Sequence, residues 1–569
     1  MNCLKLETLS TLLTTTVATT ALALTLGTAA SSVAAGQDLE WAHGLAFNDP
    51  HVVATVPGDT DVVMAGRFSG VVDFDFGAGV TELTSLSGQD VFVARYDSTG
   101  GLLWVQQLSG PELGSMTVGS NGNVYVTGSF SGTQDFDPGT ADALFTSAGG
   151  RDGYVLRLDG SGQYIGAVTF ESPGEVRTRQ VKLDAAGNVL VLGTFRDMTD
   201  FDPSSGVRYK TPTSTEDGFV AKLSFNGSLW WVKTFGSVVG FSQNLSLAVD
   251  GNKNILVAGR FRDSIEAAGQ TFSGPADRNT FLLKYLPGGS LDWGKVIVGG
   301  GQPWTEFGGS VATDADDNIF VTGDFDGLLQ VDGQTMTSTD GDLFLVKLTP
   351  AGTALWLRSI LSAVNESGSV LAVSSTGAAV VSGRRGMFPQ LSSPDPDLTK
   401  STEAASFNAS LSKFSGDGTL LWSHVYSNFR NQIYSLALDA DDDIYVAGGD
   451  PLGSTLDVDF SAAEFLVTER HFVAKYSESS VLPLNVNLVC FESPGGFEGE
   501  VSLVCTAATS GGTSPYTYAW TQDGFTLPDT GSQVTVETPS CGFSPVLLSV
   551  TVTDSFGATG QGTLDLCTL

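Results

Sequence analysis

The sequence predicts an all-β protein: a seven-bladed β-propeller closed by N- and C-terminal strands, followed by a small immunoglobulin-like β-sandwich. Three observations predict this. One four-strand phrase recurs seven times, the composition favours turns and strands over helix surfaces, and the last stretch alternates in short strands. Gly makes up 69 of the 569 residues, and charged residues are 16% of the chain, where ~25% is usual. With 34 Phe, 12 Tyr and 9 Trp, the chain has the apolar mass for a large core, which disordered and coiled-coil sequences lack. Asp and Glu number 62 against 28 Lys and Arg, a formal net charge of −34. So acidic a surface repels phosphate backbones and anionic lipid, which makes nucleic acid and membrane surfaces poor partners.

The first phrase reads DVVMAGRF (61–68), NVYVTGSF (123–130), NVLVLGTF (188–195), NILVAGRF (254–261), NIFVTGDF (318–325), AAVVSGRR (378–385) and DIYVAGGD (443–450). Its glycines are Gly66, Gly128, Gly193, Gly259, Gly323, Gly383 and Gly448; such strand glycines are expected where a neighbouring blade or backbone comes close. A second phrase follows each, from DVFVARYD (90–97) to HFVAKYS (471–477). It holds one basic residue at a fixed place: Arg95, Arg157, Lys222, Lys284, Lys347, Lys413 and Lys475. A third phrase carries Trp104, Trp231, Trp293, Trp356 or Trp422, with Ile165 at that place in the second repeat. A short apolar segment ending in an Asp/Gly/Asn turn precedes each first phrase. Four alternating strands per repeat, arrayed radially, make a propeller. A blade has two apolar faces and buries neither alone, so the array must close on itself.

The seventh repeat lacks its Trp phrase: after Lys475 the chain runs into SSVLPLN (479–485). LEWAHGLAF (39–47) near the N-terminus matches LLWVQQLSG (102–110), so the strand carrying Trp41 is expected to complete the last blade. Upstream, Lys5 precedes a Thr-diluted apolar stretch that ends in Ser32-Val33-Ala34-Ala35. That is the layout of a signal peptide, residues 1–35. No later stretch reaches ~18 apolar residues, so a soluble, secreted or surface protein is expected, without membrane insertion. The propeller is assigned to 36–477, a linker to 478–484 and the sandwich to 485–569. Four cysteines, Cys490, Cys505, Cys541 and Cys567, fall in that last segment. In an exported chain they read as two disulfides. Three pairings are open, and Cys490–Cys567 with Cys505–Cys541, tying first strand to last, is the preferred one.

The unit formed by these phrases, with DFDPG between the first and the second, resembles the bacterial β-propeller repeats of secreted and surface proteins. The tail, with SGGTSPYTYAWTQDG (510–524) and LLSVTVTDSFGATG (547–560), is similar to polycystic-kidney-disease (PKD) domains and related repeats of gliding adhesins. The resemblance implies a bacterial scaffold or interaction module at the cell surface or outside it, with no shared catalytic residue. The four cysteines depart from the usual cysteine-free PKD pattern.

Two acidic patterns are candidate calcium sites. DFDFG (73–77), DFDPG (135–139), DFDPS (200–204) and DVDF (457–460) place carboxylates such as Asp135 and Asp137 on one face of a strand, a possible oxygen cage. The plainer reading has Phe or Val filling the core while the acids make a turn. DADDN (314–318) and DADDD (439–443), with Asp439, Asp441 and Asp443, imitate a calcium loop but lack its sixth-position Gly and terminal Glu. DAAGN (184–188) stands at the same spot, which favours an ordinary turn. The seven basic residues either ring a channel and collect anions or pair with carboxylates of their own or the next blade.

Ligand contacts are expected where the repeat is broken. One such place is the loop 384–406 with Arg384 and Arg385; another is GGGQPWTEFGG (299–309), whose Trp304 offers a stacking ring for a sugar or peptide. No metalloprotease spacing, nucleophile elbow or cysteine nucleophile occurs in the propeller, and no catalytic residue is assigned. The expected function is a non-enzymatic, monomeric scaffold or adhesion protein that binds an extracellular polysaccharide or protein through propeller-face loops, with no cofactor beyond calcium. The alternatives are a polysaccharide-active enzyme using paired carboxylates and a purely structural envelope component.

Overall fold

The computed structural model describes residues 37–566 apart from 46–48, 237–244, 275–278, 301–308, 361–369, 386–407, 427–431, 450–455, 460–464, 479–484, 494–501, 511–515, 529, 538–545 and 554–558. Residues 1–35, expected to be an export signal, and Trp304, Cys541 and Cys567 lie outside the described residues. Two compact bodies divide the chain, one spanning Ala34–Val481 and a second that includes Leu482–Leu569. The described residues are all-β, with no helix among them long and apolar enough to cross a membrane.

The larger body is a propeller-type array of four-stranded antiparallel sheets. In the first repeat the strands are Asp49–Thr55, Val62–Phe68, Asp90–Tyr96 and Leu102–Leu108, hydrogen-bonded in that order. The first strands of the following repeats are Glu112–Val118, Val176–Leu183, Ser246–Val249, Ser310–Thr313, Val370–Val373 and Gln432–Leu438. Each packs beside the first strand of the next repeat, and Gln432–Leu438 packs beside Asp49–Thr55. In the last repeat the outer strand is Gln37–Leu45, paired with His471–Glu478. Trp41 faces Lys475 there as Trp104 faces Arg95 in the first repeat.

The phrases explain the core. The aromatic ending the first phrase meets the aromatic between the paired acids edge to face: Phe68 with Phe74 at 5.4 Å, Phe130 with Phe136 at 5.3 Å and Phe195 with Phe201 at 5.4 Å. All six rings are buried, and edge-to-face pairs add to the area term. The strand glycines stand, as expected, where backbone or a neighbouring repeat comes close. A Cβ on Gly128 or Gly193 would strike the bulged first strand and the third-strand ring, Tyr154 or Phe219, of its own repeat. At Gly383 the added atom would instead meet the preceding repeat, at Leu343. The loop hairpins also brace neighbours: the hairpin from Ser264–Ala267 to Gln270–Ser273 joins the outer strand of the third repeat, and the long hairpin Ile319–Val331/Gln334–Leu348 joins that of the fourth.

The C-terminal body has two antiparallel sheets. One holds Asn485–Ser493, Ser502–Ser510 and Gln533–Glu537; the other holds Phe525–Thr526, Thr517–Gln522, Leu547–Thr553 and Thr559–Asp565. Trp520 is wholly buried between them and donates its indole N–H to Gly531 O at 2.8 Å. The disulfide corrects the expected pairing. Cys490 and Cys505 face each other in register on adjacent strands and are bonded. The bridge therefore closes a local hairpin instead of tying the first strand to the last.

Candidate functional site

In the third, fourth, fifth and seventh repeats the charged residues meet at the end of the sheet where the first and third strands turn. In the third repeat, Asp184 Oδ1 accepts N–H bonds from Ala186 (2.9 Å) and Asn188 (3.0 Å), and Asn188 Nδ2 donates to Oδ2 at 2.9 Å. Lys222 Nζ lies 2.8 Å from the same Oδ2, with both side chains buried. Burial alone would push the Asp184 carboxyl up, but the bonds from Lys222 and Asn188 outweigh it and hold the group below its usual range. Lys284–Asp250 (3.1 Å) and Lys347–Asp314 (3.0 Å) repeat the pair.

These cations also reach forward into the next repeat. Lys284 Nζ donates to Pro350 O at 2.9 Å and Lys347 Nζ to Gly416 O at 3.1 Å; Arg95 and Arg157 bond Gly160 O and Phe225 O in the same sense. The outer-strand tryptophans reach those turns too. Trp104 Nε1–H donates to Gly160 O at 3.0 Å, Trp231 to Pro287 O at 3.1 Å and Trp356 to Gly416 O at 3.1 Å. Their rings lie where a Cβ of Gly162, Gly289 or Gly418 would stand, and these glycines have positive φ. So Arg95, Arg157, Lys284 and Lys347 are junction machinery. In the second repeat the register places Gly166, not Ile165, opposite Arg157; Ile165 falls one place outward, 38% exposed.

The acidic motifs act as turn caps. Asp135 Oδ1 accepts N–H bonds from Asp137 (3.0 Å) and Ala143 (2.9 Å), while Asp137 Oδ1 accepts from Gly139 at 2.8 Å. Asp73, Asp200 and Asp457 repeat the two-bond pattern. In the seventh repeat Asp439 Oδ1 accepts from Asp441 and Asp443, both at 3.0 Å. Asp443 stands where Asn188 does, and Lys475 sits 2.8 Å from Asp443, 2.9 Å from Glu40 and 3.9 Å from Asp439. Burial, then the Asp443 charge, pushes the Asp439 carboxyl up. Burial opposes the Lys475 charge, but its bonds to Asp443 and Glu40 hold the ammonium well above its ordinary value. Among the described residues no group of three or more His, Cys, Asp or Glu is placed to hold a metal ion.

Arg384 and Arg385 end the strand Ala379–Arg385, opposite Ala409 and Asn408. Beside this repeat lies a feature that sequence reading missed. A cavity of about 380 Å³ opens between the outer strand Ala354–Ile360 of the fifth repeat and the strands Asn408–Phe414 and Leu420–Val425 of the sixth. Small-molecule sites span roughly 300–1,000 Å³. Arg358, Ser359, Ser412, Thr419 and Ser423 line it together with Phe414. Ser412 and Ser423 are cross-strand partners, buried, with hydroxyls 2.8 Å apart. The equivalent pairs elsewhere are apolar: Ala94/Val105, Leu156/Ala167, Ala221/Val232, Leu283/Gly294, Val346/Leu357 and Ala474/Ala42. Ser359 Oγ is buried without a hydrogen-bond partner among the described residues. Arg358 is held over Trp356 and donates to Gly418 O at 2.6 Å, Leu357 O at 3.0 Å and Asp417 O at 3.3 Å. The sequence signal was present, as two serines at apolar places, but it needed the strand register to be read.

An uncharacterised WD repeat-containing protein of Acanthamoeba polyphaga mimivirus is 22% identical over 449 residues, covering 65% of this chain and 32% of its own length. The likeness is to repeat propellers. The chain thus spans about a third of that relative. Among solved structures, the Dos1 propeller aligns with a TM-score of 0.40 at 8% identity, over 78% of this chain and 95% of its own. A puromycin hydrolase aligns with a TM-score of 0.36 at 11% identity, over 81% and 58%. No protein-family profile matches the chain.

Proposed function

We propose that the chain is an exported, non-enzymatic binding scaffold. In this reading a seven-bladed propeller, closed by its N-terminal strand and followed by an immunoglobulin-like module, binds an extracellular saccharide at the cavity between its fifth and sixth repeats. The observation that carries the reading is the Ser412–Ser423 pair. A repeat array keeps one apolar design at this position and replaces it once, beside a cavity, with hydroxyl groups. With Ser359 and Arg358 these offer donors and acceptors to a hydroxyl-rich ligand, and Phe414 offers an apolar face.

Support for the closed ring comes from bonds between its first and last repeats. Ser435 Oγ accepts from Val53 N at 3.1 Å, Thr55 Oγ1 donates to Leu438 O at 2.8 Å, and Trp41 Nε1–H donates to Ser98 O at 2.9 Å. The last repeats the Trp104 contact with the following turn.

The test is retention of residues 36–569 on a panel of immobilised polysaccharides, with and without EDTA, alongside the double variant Ser412→Ala, Ser423→Val. That variant restores the apolar pair of the first and third repeats and should fold. Retention is expected on a subset of the panel, lost in the double variant, and insensitive to EDTA because the acidic motifs cap turns. Equal retention of both proteins, or none by either, overturns the saccharide reading; loss in EDTA restores calcium to the Asp135/Asp137 and Asp439/Asp441/Asp443 motifs.

A further inference from the structure

The seven first strands, which pack side by side around the array, differ in charge. Pairing with the second strand fixes one position in each repeat: Ala54 opposite Val63, Thr117 opposite Tyr125, Lys182 opposite Leu190, Ala248 opposite Leu256, Ala312 opposite Phe320, Ala372 opposite Val380 and Ala437 opposite Tyr445. Six of the seven are small. The third repeat alone carries a cation, and the same strand, Val176–Leu183, also holds Arg177 and Arg179, while no other first strand has a Lys or Arg. In a chain of net charge −34, that concentration runs against the composition.

The two ends of this strand differ. Near its start, Arg177 pairs with Glu175 at 2.6 Å, Arg196 with Glu175 at 3.1 Å, and Arg151 with Glu112 at 2.8 Å. Toward its far end, Lys182 has no carboxylate or hydrogen-bond partner among the described residues, although it is solvent-exposed. Val181, before it, is wholly buried in the core shared with the second repeat, and Gln180 on the Lys182 face bonds Leu247 N of the fourth repeat at 2.7 Å. Lys182 therefore stands, accessible, on the inner side of the array, at the position where the other repeats have alanine or threonine. The protein packed around that position disfavours the charged ammonium and lowers its pKa, although the side chain stays accessible.

We propose that Lys182 is the anchor of an oxyanion site on the axial wall of the array, taking a carboxylate, sulfate or phosphate group. The inference rests on the closed ring but not on the saccharide cavity. An unpaired ammonium with protein on most sides attracts an anion more strongly than a lysine on an open surface does. The cations at the start of the strand, partly neutralised by glutamates, extend positive potential along the route.

The experiment is competitive acylation of the full set of lysines in the folded protein, read by peptide mass spectrometry at mildly alkaline pH. It is run in chloride, then at equal ionic strength in sulfate or phosphate, and finally with a sulfated oligosaccharide, to separate a free ion from a group on a larger ligand. Lys182 is expected to react faster than surface lysines in chloride. Anion pairing should slow it selectively by roughly tenfold, since one unit of raised pKa leaves a tenth of the free amine. Lys182→Ala installs the residue of five other repeats and should fold normally while losing anion-dependent protection of the protein against heat. Fast labelling with no selective slowing overturns the oxyanion site. Labelling at the surface rate in every buffer means that Lys182 holds no anion, and likewise overturns the oxyanion site while leaving the closed ring to its own test.

Discussion

The turn at Asp184 and the turn at Asp439 follow one plan, and of the three positions at which they differ the one beside the buried carboxylate is Asn188 against Asp443. At Asp184 the buried carboxylate meets one ammonium and one amide, and every charge is matched. At Asp439 the amide is replaced by a second carboxylate, and Glu40 of the N-terminal strand adds a third around Lys475. The ammonium turns toward Asp443 and Glu40, leaving Asp439 farther away with its carboxyl pushed up. Identical backbone geometry thus gives a satisfied junction in mid-chain and an over-acidic one where the two distant strands meet.

Removing the cation should have the largest effect. Lys222→Met leaves Asp184 buried and uncompensated, which costs about 3–5 kcal/mol. Lys475→Met leaves three carboxylates together and should cost at least as much, measured as the denaturation midpoint of the propeller body. A smaller loss at Lys475 than at Lys222 would break the comparison, because it would mean that the seventh junction does not depend on its ammonium.

The tryptophans give the next effect. Trp104 and Trp41 each donate an indole N–H to the following turn, at 3.0 and 2.9 Å. Trp104→Ala and Trp41→Ala should each cost about 2–3 kcal/mol, below the usual core value because both rings are only half-buried. If Trp41→Ala costs nothing while Trp104→Ala does, the N-terminal strand is not an equivalent fourth strand.

Much of this was legible because the array repeats itself. A residue present at every repeat, such as the basic residue of the second phrase, had to serve the fold, and its partners proved to be turn carboxylates and the next repeat's carbonyls. The Phe74, Phe136 and Phe201 positions were readable as core because an apolar residue between two acids on an alternating strand points inward. What escaped depends on register. Gly166 and Ile165 differ by one place, which a bulge decides and spacing does not. The Cys490–Cys505 bond needed the knowledge that these two residues face each other on neighbouring strands. Ser412, Ser423 and Lys182 are ordinary residues in sequence and become exceptional only when set against their structural equivalents.

The smallest effect is the most discriminating. Asp443→Asn converts the seventh turn to the DADDN sequence of the Asp314 turn, and Lys475 can then approach Asp439 as Lys347 approaches Asp314. The variant should be more stable at neutral pH by about 0.5–1 kcal/mol, the size of a modest hydrogen-bond gain. The pH dependence fixes the cause. Asp439 has a raised folded pKa, so its favourable contribution is present below the unfolded carboxylate value, ~3.9, and is lost as pH rises through the folded value. Asp184 has a lowered one, so its contribution is present above the unfolded value and lost only as pH falls through the lower folded value. Between neutrality and roughly pH 4, the wild type should therefore regain stability relative to Asp443→Asn as Asp439 takes up a proton. Lys475 titrates far above this window and contributes no slope within it. Melting temperatures of the two proteins across the window should converge toward acid. A gap that stays constant with pH would assign the gain to packing or to the new amide bond and remove carboxylate repulsion as its cause.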